Sequence, residues 1–121
     1  MKAKELKIGD IVSFLGNPTK VQSIDPPAIY VVDKDDTIWG TNEINNDVTP
    51  IPLTSEILEK NGWEKGDWCF IKDFLTLVRL ENKTKGFSFS IYGGKSRYNI
   101  NYVHELQHLL WALGMDDDLK I

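Results

Sequence analysis

The chain has 121 residues and a formal net charge of −4 at pH 7, with 41% hydrophobic and 11% aromatic residues. That composition supplies enough apolar surface for one compact unit and excludes an intrinsically disordered chain. The acidic balance argues against nucleic-acid binding, which needs a basic face for phosphate contacts. One cysteine permits no internal disulfide, and no apolar run approaches the roughly 20 residues that cross a bilayer. We therefore expect a cytoplasmic protein without a membrane partner.

Short β-branched runs separated by turn residues fill the first half of the chain. Residues 21–24 and 29–32 are two such runs, and the Asp-Pro-Pro sequence between them cannot continue a central strand. A further turn is predicted at Gly-Asn-Pro, residues 16–18. Short strands with frequent turns predict a small curled antiparallel sheet or SH3-like barrel over residues 1–52.

The segment PIPLTSEILEKNGW, residues 50–63, carries the signals of a short helix with both ends marked. Thr54 is placed to cap the first turn, and Leu53 and Leu58 occupy the positions of a hydrophobic staple. Asn61-Gly62 supplies a left-handed stop.

Three strand candidates follow this helix, over residues 68–71, 75–80 and 87–92. A last amphipathic helix is predicted from about residue 101 to 113, with Gly114 as its stop. The predicted fold class is therefore α+β: an SH3-like β segment, a helix, a three-stranded antiparallel meander and a C-terminal helix. We expect the αβββα segment, residues 53–121, to share one core with residues 1–52 in a single domain over residues 1–121.

The predicted last helix contains HELQH, residues 104–108, which matches the H-E-x-x-H pattern of zinc peptidases. His104 and His108 are one helical turn apart, so both imidazoles can meet one Zn²⁺, and Glu105 is placed to activate the bound water. A third protein ligand is also required. Because the chain has two histidines, it must be a carboxylate, and the candidates are Asp73, Glu81 and residues 116–118.

Helix geometry places the two histidines away from the main apolar stripe of that helix. At 100° per residue, the stripe comprises Val103, Leu106, Leu109, Leu110 and Leu113. His104 and His108 lie almost opposite it, together with Trp111. This placement favours a histidine pair on a solvated or partner-facing surface over a zinc site inside a cleft.

Three weaker patterns favour ordinary turns or tails. Residues 33–36 resemble the start of a calcium loop, but Ile38 stands where that loop needs glycine. GGKS, residues 93–96, lacks the first glycine of a phosphate-binding loop and indicates a glycine-rich turn. The acidic residues 116–118 follow a helix C-terminus, where negative charge is unfavourable, and they predict an exposed, frayed end.

Four tryptophans are many for a chain of this length. Large aromatic side chains usually fill the core, whereas exposed ones mark partner interfaces. The four are Trp39, Trp63, Trp68 and Trp111. We select Trp111 as the partner-binding candidate because it shares a helix face with His104 and His108.

Two stretches resemble a known group of sequences. PIPLTSEILEKNGW is similar to a "PIPLTEEILLKNGF"-like segment, and YVHELQHLLWALGMDDDL is similar to a "YVHQLQNLYFALTGEEL"-like segment. With the start KELKIGDIV, the chain resembles a family of small uncharacterised proteins of Bacteroidales-type gut bacteria and their phages and mobile elements. The resemblance implies no activity. It does imply a structural helix, since Gln and Asn stand at the positions of Glu105 and His108.

The leading hypothesis is a non-enzymatic phage or mobile-element accessory protein, or protein-binding domain, without a cofactor. Its partner would be another protein or a second copy, contacted through Trp111, His104 and His108. One alternative is a minimal zinc-dependent hydrolase, with His104 and His108 as ligands and Glu105 as the base. Another is a nucleic-acid-binding small barrel, whose basic edge would comprise Lys2, Lys4, Lys7 and Lys20.

Overall fold

Antiparallel pairing organises most of the chain into two sheets, which two helices accompany. The computed structural model describes residues 1–67, 69–73, 75–79, 87–91 and 99–121. The strands of the first sheet are β1 (Ile11–Phe14), β2 (Asn17–Asp25), β3 (Ala28–Val32), β4 (Ile38–Asn42) and β5 (Val48–Thr49). Their order is β4-β3-β2-β1-β5, and the sheet curls into a half-barrel. The prediction of a curled antiparallel sheet is therefore confirmed.

The loop between β1 and β2 lies earlier in the chain than the sequence predicts. Leu15 and Gly16 form a two-residue loop, and Phe14 pairs with Asn17. Both loop residues have positive φ, +50° and +87°, which is the combination that a type I′ turn requires. The predicted turn at residues 16–18 is wrong in position because strand pairing carries Asn17 and Pro18 into β2.

Helix α1 (Ser55–Lys60) begins and ends as its sequence predicts. The Thr54 hydroxyl accepts a hydrogen bond from the backbone N–H of Ile57 at 3.3 Å. Leu53 and Leu58 are both buried in one apolar cluster. Gly62 follows with φ of +84°, the left-handed conformation that ends helices.

Over the described residues, the second sheet has five strands, whereas the sequence predicts three. They are β6 (Glu64–Lys65), β7 (Cys69–Lys72), β8 (Leu75–Arg79), β9 (Phe87–Ile91) and β10 (Asn99–Ile100), in the order β10-β9-β8-β7-β6. The central three correspond to the predicted meander. The two outer strands were missed because two residues are too short to show an alternating pattern.

Helix α2 (Val103–Ala112) follows the second sheet, and Gly114 ends it with φ of +71°. Its apolar stripe packs on the second sheet and on α1, in the cluster that also holds Trp63 and Phe70. In the described part of the chain, neither helix is long and apolar enough to cross a membrane.

Strand β1 contributes to two separate apolar clusters because its side chains alternate between the two faces of the sheet. Ile11 packs into the cluster of α1, α2 and the second sheet. Val12 packs into a second cluster inside the curled sheet, with Ala3, Leu6, Val21, Ile29, Val31 and Val48. The half-barrel and the helical segment therefore meet at this strand.

The acidic side chains after α2 remain largely exposed, as predicted, but the prediction of a frayed end is wrong because the tail packs against the protein. Leu119 is buried in the cluster around α2. Asn61 donates to the carbonyl of Lys120 and accepts from its N–H, both at 2.7 Å. Asp118 pairs with Lys20 at 2.6 Å. Side-chain hydrogen bonds that the charge pattern cannot reveal hold this segment in place.

Candidate functional site

Helix α2 is the element on which the sequence places the candidate site, and Glu105 stabilises its first turn. One carboxylate oxygen, Oε1, accepts from the backbone N–H groups of Asn101 and Tyr102, both at 3.0 Å. These groups have no partner inside the helix, and a carboxylate also suits the positive end of the helix dipole. Glu105 therefore serves as a capping residue in this structure.

His104 is buried, with 7% of its surface exposed, although helix geometry predicts it on an outer face. Its ring stacks on Tyr102 with centroids 5.9 Å apart and meets His108 edge-on at 5.6 Å. The expectation that His104 lies on a solvated or partner-facing surface is wrong. The helical wheel shows where the apolar stripe lies, but it does not show that the N-terminal segment covers a second side of the helix.

His108 contacts that N-terminal segment directly. Its Nε2 lies 2.7 Å from Oδ2 of Asp10, a carboxylate that is almost completely buried. The same Oδ2 accepts from the backbone N–H of Lys7 at 2.8 Å. Asp10 therefore closes the turn that leads into β1 and fixes the His108 ring, 98 residues away.

Gln107, between the two histidines, is the most highly connected polar side chain of the helix. Its Oε1 accepts from the backbone N–H of Ile11 at 2.7 Å. Its Nε2 donates to the carbonyls of Gly9 and Asp117, each at 3.0 Å. Both N–H donors of the amide and its carbonyl oxygen thus have backbone partners, as expected for a buried amide.

The zinc chemistry that HELQH suggests needs a free glutamate and three protein donors. Glu105 is engaged by two backbone N–H groups, as described above. Within the described residues, no group of three or more His, Cys, Asp or Glu side chains is arranged to hold a metal ion. Of the predicted third ligands, Asp73 lies in a turn with φ of +53°, and Glu81 is outside the described residues.

Trp111 is exposed over 62% of its surface, as the sequence predicts. The ammonium of Lys7 lies 4.1 Å from the centroid of its ring, a cation–π contact. Lys20, a second member of the proposed basic edge, is paired with Asp118. Two of the four lysines proposed for nucleic-acid binding therefore have partners within the chain.

A groove on the half-barrel is the apolar surface that sequence reasoning missed. It has a volume of about 400 Å³, and Phe14, Leu15, Pro18 and Trp39 form its apolar lining. Leu15 is exposed over 66% of its surface and Trp39 over 46%. The Trp39 and Phe14 rings lie with centroids 6.0 Å apart. We call this surface the aromatic groove.

The turn at residues 33–36 forms one wall of the aromatic groove and holds Trp39. Oδ1 of Asp33 accepts from the N–H groups of Asp35 and Thr37 at 2.9 and 3.0 Å. Oδ2 accepts from the indole Nε1 of Trp39 at 3.0 Å. The indole hydrogen bond, and next the Thr37 N–H, lower the pKa of Asp33 below its usual value.

A sequence signal for the aromatic groove exists, but it is weak. Leu15-Gly16 separates two runs of strand-forming residues, and Leu is an unusual residue where positive φ is needed. Trp39 was one of four tryptophans without a distinguishing pattern. Of the others, Trp63 is buried as a core residue, whereas Trp68 lies outside the described residues.

Neither a family model, nor a curated protein, nor a solved structure matches this chain. The resemblance to small proteins of gut bacteria and their mobile elements therefore stays an expectation.

Replacing Gln107 by leucine tests whether this side chain joins the two halves of the chain. The variant leaves the Ile11 N–H and the carbonyls of Gly9 and Asp117 without their partner. We expect the free energy of unfolding to fall by about 3 kcal/mol, because each buried unpaired group costs roughly 1–3 kcal/mol. Urea unfolding measures this. Gln22→Leu, on an exposed position of β2, is the control, and an equal effect of both changes would contradict the assignment.

The burial of His104 predicts a loss of stability in mild acid. Burial lowers the pKa of His104 below 6.5, the nearby His108 acts in the same direction, and the carboxylates of Asp10, Glu105 and Glu5 oppose the shift. The unfolded chain therefore takes up a proton on this residue at higher pH than the folded chain does. The contribution of His104 to the free energy of unfolding is fully present above the pKa of the unfolded chain. It declines as the pH falls through about 6.5.

The measurement is urea unfolding between pH 7.5 and 5.5. We expect His104→Phe to reduce the loss of stability over this range, since phenylalanine keeps a flat ring but cannot bind the proton. Among the described residues, the Nδ1 atom of His104 has no hydrogen-bond partner, so the change removes no hydrogen bond there. The same pH dependence in the variant and the parent protein would show that His104 is not the titrating group.

Proposed function

We propose that this protein is a non-enzymatic interaction domain that receives an extended segment of a partner protein in the aromatic groove. In this proposal the curled sheet serves as a small SH3-like barrel, and the protein acts in the cytoplasm. Support comes from a concave surface with exposed aromatic and aliphatic side chains, a composition typical of binding sites. An accessory role in phages or mobile elements rests on the sequence resemblance alone.

The observation that carries the proposal is the conformation of Leu15. In the described part of the chain, four residues other than glycine have positive φ: Leu15, Asp36, Asn46 and Asp73. Aspartate and asparagine tolerate this conformation, whereas leucine is disfavoured by about 1–2 kcal/mol. Leu15 is also mostly exposed, so burial within the chain does not offset the strain. A backbone outlier that presents an apolar side chain to solvent points to a role in binding.

The groove is a better candidate than the helix face that the sequence suggests. His104 is buried, and the His108 side chain is bound to Asp10 and only 28% exposed, so the two rings offer little surface to a partner. Trp111 is exposed, but the Lys7 ammonium already lies over its ring. Trp111 thus remains available as an additional contact at the edge of a larger interface.

Replacing Leu15 by asparagine tests the proposal through two opposite effects. Asparagine followed by Gly16 is the preferred pair for a type I′ turn. We expect Leu15→Asn to raise the free energy of unfolding by about 1 kcal/mol, because it relieves the left-handed strain. We expect the same change to weaken peptide binding, because it removes the apolar side chain at the edge of the groove.

A random library of 12-residue peptides, selected on the unmodified protein, supplies the probes for that measurement. Selected peptides should shift the NMR signals of Leu15 and of the Trp39 indole, and they should lose affinity for Leu15→Asn. Ile44→Asn is the control, since Ile44 is an exposed apolar side chain that does not line the groove. Selection of no binding peptide, or of peptides that bind Leu15→Asn equally well, would overturn the proposal.

A zinc-dependent hydrolase is the second candidate, supported by the closeness of Asp10 to His108. Asp10 is a carboxylate beside His108 that the sequence analysis does not identify, but its Oδ2 lies 2.7 Å from Nε2 of His108, and the described residues form no three-donor group. Because Nε2 of His108, a required zinc ligand, is engaged by Asp10, we expect elemental mass spectrometry of the untagged protein to detect no stoichiometric zinc. About one zinc per chain, lost in a folded His108→Ala variant, would favour the hydrolase instead.

A further inference from the structure

The charges around the aromatic groove are unequal. Two acidic side chains, Asp33 and Asp35, line it together with one basic side chain, Lys34. The adjoining cavity shares Asp33 and Lys34 and adds Asp36 and Lys20, and the Lys20 ammonium is paired with Asp118. The groove thus combines an apolar floor with a rim of net negative charge.

The Trp39 ring is fixed beside that rim. Its N–H donates to Asp33, and Asp33 is itself held by two backbone N–H groups of the turn. The ring and the carboxylate are therefore oriented before any ligand arrives, so binding requires little ordering. Among the described residues, Lys7 makes a cation–π contact with Trp111, whereas no cation lies over the Trp39 ring.

We propose that the aromatic groove selects a positively charged side chain, an arginine or lysine of an extended partner segment. The cation would lie against the Trp39 indole with its charge directed to Asp33 and Asp35. Neighbouring apolar side chains of the same segment would lie over Phe14 and Leu15. This inference rests on the proposed function and specifies the partner that the groove accepts.

Charge complementarity supports this occupant over the alternatives. A cation next to an indole gains from the negative face of the ring, and two carboxylates add an attraction that rises as water is displaced. An anionic membrane surface or a nucleic acid would instead meet the acidic rim and be repelled. A second copy of the chain is the remaining alternative, and the concentration dependence of the NMR signals of the groove tests it.

The test compares two short peptides that differ in one side chain. One has the sequence acetyl-Ala-Leu-Arg-Leu-Ala-amide, and the other has citrulline, a neutral group of almost the same shape, in place of arginine. Each is titrated into the ¹⁵N-labelled full-length protein. We expect the arginine peptide to shift the Trp39 indole and the Leu15 and Asp35 amides, and to bind about three- to fivefold tighter than the citrulline peptide.

Charge variants of the protein give opposite expected effects. Asp35→Asn should weaken binding of the arginine peptide about two- to threefold, and Lys34→Gln should strengthen it by a similar factor. We choose Asp35 rather than Asp33 because the Asp33 side chain holds the turn together. Lys65→Gln, on β6 of the second sheet, is the matched control and should leave the affinity unchanged.

The outcomes separate this inference from the proposed function. Equal affinity for the two peptides, or no effect of Lys34→Gln, would overturn the selection of a cation while leaving peptide binding in the groove intact. If the arginine peptide moves no groove signal and the library yields no binder that depends on Leu15, both proposals fail. If the NMR signals of the groove residues change with protein concentration in the absence of peptide, the groove is a self-association surface, and the inference is overturned.

Discussion

The carboxamide of Gln107 makes hydrogen bonds to three separate stretches of backbone: the start of β1, the turn before it and the tail after α2. Because all three partners are main-chain groups, the bonds fix the position of α2 relative to the backbone of β1, of the turn before it and of the C-terminal tail. The environment of its neighbours follows from that position. His104 is covered, His108 reaches Asp10, and Trp111 is left at the edge with Lys7 over its ring.

Local signals made much of the architecture predictable. The ends of α1 could be read from Thr54 and Gly62 because a cap and a left-handed stop each depend on a few neighbouring residues. The curled sheet and the central strands of the second sheet could be predicted in the same way, from the alternation of apolar and polar residues and from the turn-forming residues between them. The outermost strands could not be predicted, since two residues leave no periodic trace.

The candidate sites were less predictable because they depend on contacts between distant residues. Asp10 and His108 are 98 positions apart, and the burial of His104 follows from that packing rather than from its own helix. The HELQH pattern therefore attracted a catalytic interpretation, whereas Glu105 caps the helix and Gln107 joins the backbone segments. The role of Leu15 is not predictable from the sequence for a related reason. Its strain is a property of backbone conformation, and residue types alone predict the turn at residues 16–18.

The region around Gln107 on α2 and the aromatic groove differ in how well their side chains are stabilised within the chain. The buried side chains of Gln107 and Asp10 are hydrogen-bonded to the backbone, as expected for a structural role, although Nδ1 of His104 beside them has no partner among the described residues. Around Leu15 and Trp39, apolar side chains stay in water and one residue adopts a disfavoured conformation. Proteins generally tolerate backbone strain and exposed apolar side chains where a surface binds a ligand or a partner.

The double role of β1 limits how the protein can be divided. Ile11 and Val12 are neighbours in sequence, yet each belongs to a different apolar cluster. A fragment cut between the half-barrel and α1 would keep the surroundings of Val12 but leave Ile11 facing water, and the complementary fragment would lack a buried side chain from its own cluster. The groove is therefore best studied in the intact chain, and fusions or labels are best attached where they do not separate the two clusters.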